Sequence, residues 1–474
     1  MLQIYNTLTR KKEEFKPLEE GKISFYHCGP TVYWTQHIGN MRAMVLADLI
    51  VRTLEYLNYD VNFVRNYTDV GHLVSDEDEG EDKITKGAKR EGMSPQAIAE
   101  KYIKVFEDDI KDLNTQPVDI KCKATDHIKE MKEMIKVLLD KGFAYQAKLA
   151  IYFDVSKAKN YTKLSGQNLA KNKAEAGGGE VSDSEKKNPA DFALWFFKTG
   201  VHKNAMQTWK SSWGEGFPGW HIECSAMSKK YLGDTIDIHM GGIEHVPVHH
   251  TNEIAQSESA SGKKFVNYWL HNEHLTVNDK KMAKSEGLSA GEAGTAYSVQ
   301  EIKDKGYDPL ILRYFFLGAH YRSKHNFTWE ALDASNSALK KLRNEVTEIK
   351  QAVTKPGDAV FNEKYREKFI TAISDDFNIP QALAVLWEVV KDDKLVNEEK
   401  YFTILNFDQI LGLNLDKIKF EKVKIPKEIQ ALIDNRNKFR ELEDFDAADE
   451  IRQEIEDEGY LLEDTSEGVK ISKK

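Results

Sequence analysis

Apolar residues gather in KISFYHC (22–28), a run that Gly29-Pro30 stops, which predicts a buried strand. From Ile38 the rhythm changes. Met41, Val45, Leu49 and Ile50 recur at three-to-four spacing and predict a helix ending near Asn58-Tyr59-Asp60. VNFVRNY (61–67) is a second apolar run. Strand, helix and strand in direct succession predict a parallel βαβ unit. The charged stretch SDEDEGEDKITKGAKREG (75–92) predicts a surface loop leading into helix. Helices are predicted at 95–113 and 126–141, and a strand at AIYFDV (150–155).

The segment from Leu164 to Pro189 has few apolar residues and contains GGGEVSDSEKKN, which predicts a mobile loop within an insertion. Regular elements then return: a helix from Trp220 to Tyr231, a strand at TIDIHMGG (235–242), a helix from Val248 to Ser259, and a strand at VNYWLHNEHLTV (266–277). This is a second α/β half. From Tyr297 onward the pattern is almost wholly helical, as in SNSALKKLRNEVTEIKQAV and IPQALAVLWEVVKDD. A Pro-marked break at KVKIPKE (422–428) sets off the last piece.

Bulk properties narrow the function classes. A length of 474 residues fits about two to four domains. No apolar run approaches the ~18 residues of a membrane span. The start, MLQIYNTLTRKKEEF, is charged where a signal peptide needs an apolar core. The cysteines, Cys28, Cys122 and Cys224, are few and far apart, which argues against a disulfide framework and for a reducing, cytoplasmic setting. The formal net charge of −10 excludes a grip on nucleic acid through bulk charge, so any RNA contact must use local patches and shape. Neither a DNA partner nor a membrane role is expected.

Three groups of residues carry candidate chemistry. His37-Ile38-Gly39-Asn40 opens a predicted helix, where backbone N–H groups and the helix dipole favour anions. Gly39 would let a base or phosphate approach the backbone, and His37 and Asn40 can both donate hydrogen bonds. Histidine then glycine is also an ordinary helix start. DKKMAKSEG (279–287) carries Lys281 and Lys284 around a short turn of small residues. Two ammonium groups there suit the charge on a departing pyrophosphate, although most such lysines are merely solvated. Finally, Cys28, Cys224, His249 and Glu253 together suit a four-coordinate zinc ion. His249 and Glu253 are four apart and share a helix face, as do Trp220 and Cys224. A lone cysteine is more often a small core residue, and His249-His250 could be a polar helix start. Cys122 lies outside every motif and reads as core.

The chain resembles the cysteinyl-tRNA synthetases, a family of class I aminoacyl-tRNA synthetases. HIGN resembles the HIGH signature and KMAKS resembles KMSKS. CGPTVYWTQHIGN, VRNYTDV, GWHIECSAM, HHTNEIAQSE and NYWLHNEHLTV resemble the family's cysteine-specific segments. LGAHYRSKHNFTWEAL (317–332) and FDAADEIRQEIEDEGYLLEDT (445–465) resemble its later helical domains. Two signature positions depart: Asn40 replaces the last His of HIGH, and Ala283 replaces the middle Ser of KMSKS. An asparagine amide can still donate, and both lysines remain.

The resemblance implies an α/β fold: a Rossmann-like parallel-sheet catalytic domain split by an insertion, an all-α helical bundle, and a small C-terminal anticodon-binding domain. The implied boundaries are 1–125 and 206–296 for the two catalytic halves, 126–205 for the insertion, 297–326 for a stem-contact region, 327–421 for the bundle and 422–474 for the last domain. Residues 423–474 carry 15 Asp/Glu against 9 Lys/Arg, so RNA recognition there would need particular base contacts.

The implied reaction joins L-cysteine to tRNA(Cys) with ATP, through a cysteinyl-adenylate, in a monomeric cytoplasmic enzyme. ATP with Mg2+ would meet His37, Gly39, Asn40, Lys281 and Lys284. His239, Gly241 and Gly242 would approach the adenosine, unless the glycines only end a strand. Gly29, Thr68 and Trp220 would line the cysteine pocket. One Zn2+ per chain, on Cys28, Cys224, His249 and Glu253, would select sulfur over the oxygen of serine. A hydrophobic pocket separates such near-isosteres only by about 10²-fold, whereas zinc binds thiolate strongly. Three alternatives stay open at this point: a ligase joining activated cysteine to an amino sugar, a zinc hydrolase using His249, His250 and Glu253, and a non-enzymatic RNA-binding module.

Overall fold

The computed structural model describes residues 1–71, 73, 83–167, 183, 185–281, 296–353, 360–418, 425–465 and 468–473. The chain divides into two units, Met1–Asp416 and Lys417–Lys474.

The first unit is built on a five-stranded parallel sheet. A short antiparallel hairpin, β1 (Gln3–Asn6) and β2 (Lys11–Glu14), precedes it. β3 (Lys22–His27), α1 (Ile38–Tyr56) and β4 (Asp60–Tyr67) form the predicted βαβ unit, in register from Lys22 opposite Asp60 to His27 opposite Arg65. α2 (Lys83–Glu91) and α3 (Pro95–Asp112) lead to β5 (Ile120–Lys123) and α4 (Ile128–Asp140). An antiparallel sheet of β6 (Ala144–Gln146), β7 (Ala150–Phe153), β8 (Phe192–Phe197) and β9 (Gly216–Pro218) then interrupts the parallel one. It runs past residue 205 because Gly216 to Pro218 pair with Phe197 to Trp195.

α5 (Trp220–Leu232), β10 (Ile236–Gly242), α6 (His249–Ser261) and β11 (Val266–Asn272) resume the parallel sheet, giving the order β11-β10-β3-β4-β5. From β3 the chain first winds outward through β4 and β5; after the insertion it returns on the other side through β10 and β11. The strand order therefore reverses between β3 and β10, and in open α/β sheets the crevice beyond the strand C-termini at such a point is where ligands bind. Cys28 lies there, its N–H donating to the carbonyl of Met240 at 3.1 Å.

The run 266–277 is not one strand. β11 stops at Asn272, and β12 (Leu275–Val277) joins β13 (Lys280–Lys281) and β14 (His325–Phe327) in a separate sheet. The break has a physical cause. The carbonyls of Glu273 and His274 turn to accept from the fully buried guanidinium of Arg42, at 2.6 and 3.3 Å.

Helices follow: α7 (Val299–Asp304), α8 (Pro309–Leu317), α9 (Trp329–Ala352), α10 (Glu363–Ser374), α11 (Ile379–Lys391) and α12 (Asn397–Leu411). Leu332, Leu339, Leu342, Val346 and Ile349 form the buried stripe of α9 at helical spacing. Phe369 stacks on Phe407, at 4.0 Å between centroids, joining α10 to α12. Arg313 on α8 is wholly buried and donates to Asp48 Oδ2 (2.7 Å) and to the carbonyls of Leu411 (2.7 Å) and Leu113 (3.0 Å). It thus ties α1, the end of α3 and the end of α12 to one side chain. Arg313→Ala removes one of the two guanidinium partners of buried Asp48, Arg52 remaining at 2.8 Å, and takes the donor from the Leu411 and Leu113 carbonyls, and we expect a stability loss of about 3 kcal/mol by chemical denaturation.

The second unit packs α13 (Lys427–Glu441) and α14 (Phe445–Asp457) around Ile429, Ile433, Ile455, Tyr460 and Leu462. It also holds an antiparallel hairpin, β15 (Tyr460–Thr465) and β16 (Gly468–Lys473), so the chain after Tyr297 is less uniformly helical than its pattern predicts. No helix among the described residues is long and apolar enough to cross a membrane.

Candidate active site and metal centre

The helix start at the crevice is capped by its own histidine. His37 is the N-cap of α1, with an extended backbone, and its Nδ1 accepts from the Asn40 backbone N–H at 3.2 Å. A neutral His37 then carries its proton on Nε2, as a donor. The first turn holds no acidic residue, so the positive end of the helix dipole is not cancelled locally. The Ile38 N–H donates to the carbonyl of Tyr297 at 2.7 Å, and Arg42, one turn into α1, also donates to the carbonyls of His320 (3.2 Å) and Ser323 (2.9 Å). Through Arg42 the helix start is joined to the connection between β11 and β12, and so to the hairpin bearing Lys281.

That hairpin turns through Asn278 (φ 49°) and Asp279 (φ 61°), the two residues between paired Val277 and Lys280. Positive φ at both positions of a two-residue loop is the geometry that follows the right-handed twist of paired strands, and Asn and Asp tolerate it. Lys281 ends β13. Ala283 and Lys284 lie outside the described residues.

The buried cluster is built from three elements. Cys28 follows β3, Cys224 sits on α5, and His249 and Glu253 sit on one face of α6. Cys28 Sγ is 3.9 Å from Cys224 Sγ and 3.9 Å from Glu253 Oε1, and His249 Nε2 is 3.1 Å from the same Oε1. All four donor atoms lie within 4.8 Å of one another. Bonds of about 2.0–2.3 Å give tetrahedral ligand-to-ligand edges of about 3.3–3.8 Å, so the three distances bracket what a zinc-sized ion needs.

The electrostatics suit a cation-binding site. Burial, and next the Cys224 thiol, push the Cys28 thiol well above its ordinary pKa; burial, and next Cys224, do the same to the Glu253 carboxyl. Burial holds His239 and His250 well below the usual histidine range. Burial thus disfavours charge on thiol, carboxyl and imidazole alike; a divalent ion reverses the balance for thiol and carboxyl and is suited by neutral imidazoles as ligands. Glu253 Oε2 and His239 Nδ1 have no hydrogen-bond partner among the described residues.

A polar seam holds the ligand-bearing helices together. Gln256 on α6 donates to the His221 carbonyl (2.5 Å) and to Ser225 Oγ (2.7 Å), and Ser257 donates to Ser225 Oγ (2.8 Å). The nitrogen pair His221 Nδ1 and His249 Nδ1, 2.9 Å apart, orients His249 with Nε2 toward Glu253. Sequence reasoning missed His221, Ser225, Gln256 and Ser257. The available signal was four polar residues on helix faces that should otherwise be core.

Other candidate residues fall as follows. Trp220 opens α5 and stacks on His249, with centroids 4.0 Å apart. Thr68 is buried beside the loop after Cys28; its N–H donates to the Pro30 carbonyl and its Oγ1 accepts from Asn66 Nδ2 at 3.2 Å. At Gly29 an added Cβ would lie 1.7 Å from the Asn66 carbonyl oxygen, so contact with the neighbouring chain already demands glycine there. The His239 ring is wholly buried, stacks on Trp269 at 4.5 Å, and sets Nε2 3.4 Å from Cys28 Sγ. It alternates along β10 onto the face that carries the cysteines. At Gly241 a Cβ would collide with the His250 ring at 2.6 Å, and at Gly242 with the Glu244 carboxylate at 2.3 Å, so both glycines make room for neighbouring side chains. Cys122 is buried in the core.

Comparisons with known proteins agree with this layout. The profile of the class I (C) tRNA synthetase catalytic domain matches residues 14–337, and that of the DALR domain matches residues 368–415. A solved methionyl-tRNA synthetase from Mycobacterium tuberculosis, bound by methionyl-adenylate, shares the fold with a TM-score of 0.53, at 15% identity, covering 83% of this chain and 90% of that one. The fold and crevice are thus those of a class I aminoacyl-tRNA synthetase. The cysteine–tRNA ligase of Treponema denticola is 44% identical with 98% of each chain covered, and that of Clostridioides difficile is 41% identical with 99% of each covered. The chain belongs to the cysteine–tRNA ligase family.

Proposed function

We propose that this chain activates L-cysteine with ATP and esterifies it to the 3′-terminal adenosine of tRNA(Cys). The cysteine carboxylate attacks the α-phosphate and pyrophosphate leaves; the terminal ribose hydroxyl then attacks the activated carbonyl and AMP leaves. His37 through Nε2–H, Gly39 and Asn40 would hold the phosphates at the start of α1, with Mg2+ as their counter-ion. Lys281 and Lys284 would close over them as charge builds on the departing group. Positioning and charge stabilisation supply the rate without a covalent enzyme intermediate.

Cys28, Cys224, His249 and Glu253 would hold Zn2+, which supplies a site for the substrate thiolate that a serine hydroxyl cannot use. Trp220, beside His249, and Thr68 and Gly29, beside Cys28, would line the amino-acid pocket. The enzyme would work as a cytoplasmic monomer, with neither DNA nor membrane as a partner.

One observation carries this reading: a buried Cys-Cys-His-Glu cluster one loop away from the capped start of α1. The two half-sites would put the cysteine carboxylate beside the α-phosphate while its sulfur reaches the metal. The test is a charging assay. With ATP and L-cysteine, we expect acid-precipitable cysteine on tRNA(Cys) and none on an amino-sugar acceptor. Transfer to the sugar with no charging of tRNA would favour the sugar-ligase alternative.

A further inference from the structure

We infer that the metal pocket contains a second ligand set, Cys28, His239, His250 and Glu253, which shares the Cys28–Glu253 edge with the first and seats the same ion when Cys224 or His249 is withdrawn. The inference rests on the reading that an ion occupies the first set.

The geometry of the second set is as good as that of the first. Cys28 Sγ lies 3.4 Å from His239 Nε2 and 3.3 Å from His250 Nε2. Glu253 Oε1 lies 3.6 and 3.8 Å from the same two nitrogens. The four donors are all buried and within 4.8 Å of one another. These distances fall in or beside the tetrahedral range of about 3.3–3.8 Å used above.

The surroundings also prepare the histidines as ligands. His250 Nδ1 meets His271 Nε2 at 2.7 Å, and His271 Nδ1 meets Thr7 Oγ1 at 2.8 Å. If His250 binds through Nε2, protons sit on both Nδ1 atoms and each donates outward along this chain, the support expected behind a metal-bound histidine. Gly241 leaves the space that the His250 ring fills. Trp269 fixes the plane of His239. Sharing two ligands limits the pocket to one ion moving between adjacent positions. The first set offers two thiolates and a carboxylate, the second one thiolate and a carboxylate, so a divalent ion prefers the first.

The test uses the full chain and reads metal, not activity. Zn2+ per chain is measured after dialysis against a weak chelator, and the Co2+-loaded protein is examined by electronic absorption. Wild type should hold one ion, with strong thiolate-to-cobalt absorption. Cys28→Ala, which removes a shared ligand, should lose the ion. Cys224→Ala should keep one ion, with the thiolate absorption falling by about half as one thiolate replaces two. His249→Gln, a second single variant should Cys224→Ala fold poorly, should give the same spectrum. Adding His250→Gln to either should then empty the pocket. If Cys224→Ala and His249→Gln, folded by circular dichroism, are as metal-poor as Cys28→Ala while wild type stays loaded, the second set is wrong. A wild type that binds no ion would instead overturn the reading of the first set.

Discussion

Cys28→Ala should abolish both metal binding and activation of cysteine, and it should do so more completely than loss of Cys224, His249, His239 or His250, each of which belongs to one ligand set only. Cys28 lies within 3.3–3.9 Å of Cys224, His239, His250 and Glu253, so it belongs to both ligand sets. Of the two cluster thiols it is the one whose loss breaks both sets. Removing a residue that only supports a metal ligand typically costs roughly 10–100-fold; removing a shared ligand should cost more in kcat/KM for cysteine. Any residual activation in this variant should separate cysteine from serine by no more than the about 10²-fold that shape alone can give. The check is metal content beside adenylate formation with each amino acid. Retention of one ion and of cysteine activation would show that Cys28 is an ordinary core residue.

Lys284→Ala should slow adenylate formation by about 10²–10³-fold while leaving cysteine binding nearly unchanged, as expected for loss of a group that meets charge developing in the transition state. Lys284 follows the turn at Asn278-Asp279, and the hairpin is held to the start of α1 through Arg42. The predicted split is a fall in kcat with little change in KM for cysteine. Equal losses in binding and rate would assign Lys284 to ground-state binding instead.

Much of this was legible in the chain before its fold. The apolar run at 22–28 and the three-to-four spacing from Ile38 are local signals, and both became the elements they predict. The second α/β half was equally readable, because its strands and helices are also defined by local pattern. The candidate ligand set owed more to family resemblance than to spacing, since Cys28 and Cys224 are 196 positions apart and meet only in the fold.

What pattern could not show depends on contacts between distant segments. The end of β11 at Asn272 depends on Arg42, a residue with no apolar signature. The polar seam of His221, Ser225, Gln256 and Ser257 is visible only once α5 and α6 are packed. Which face of β10 His239 occupies is fixed by register with β3, where it lies opposite Tyr26. The hairpin after Tyr460 is short and depends on pairing Tyr460–Thr465 with Gly468–Lys473, so it was hidden within a largely helical stretch.

The most direct measurement is amino-acid-dependent exchange of labelled pyrophosphate into ATP, with purified full-length chain and no tRNA. We expect robust exchange with L-cysteine, almost none with L-serine, and loss of the cysteine signal in Cys28→Ala. Exchange with serine at a rate close to that with cysteine, or cysteine exchange undiminished in Cys28→Ala, would contradict this expectation.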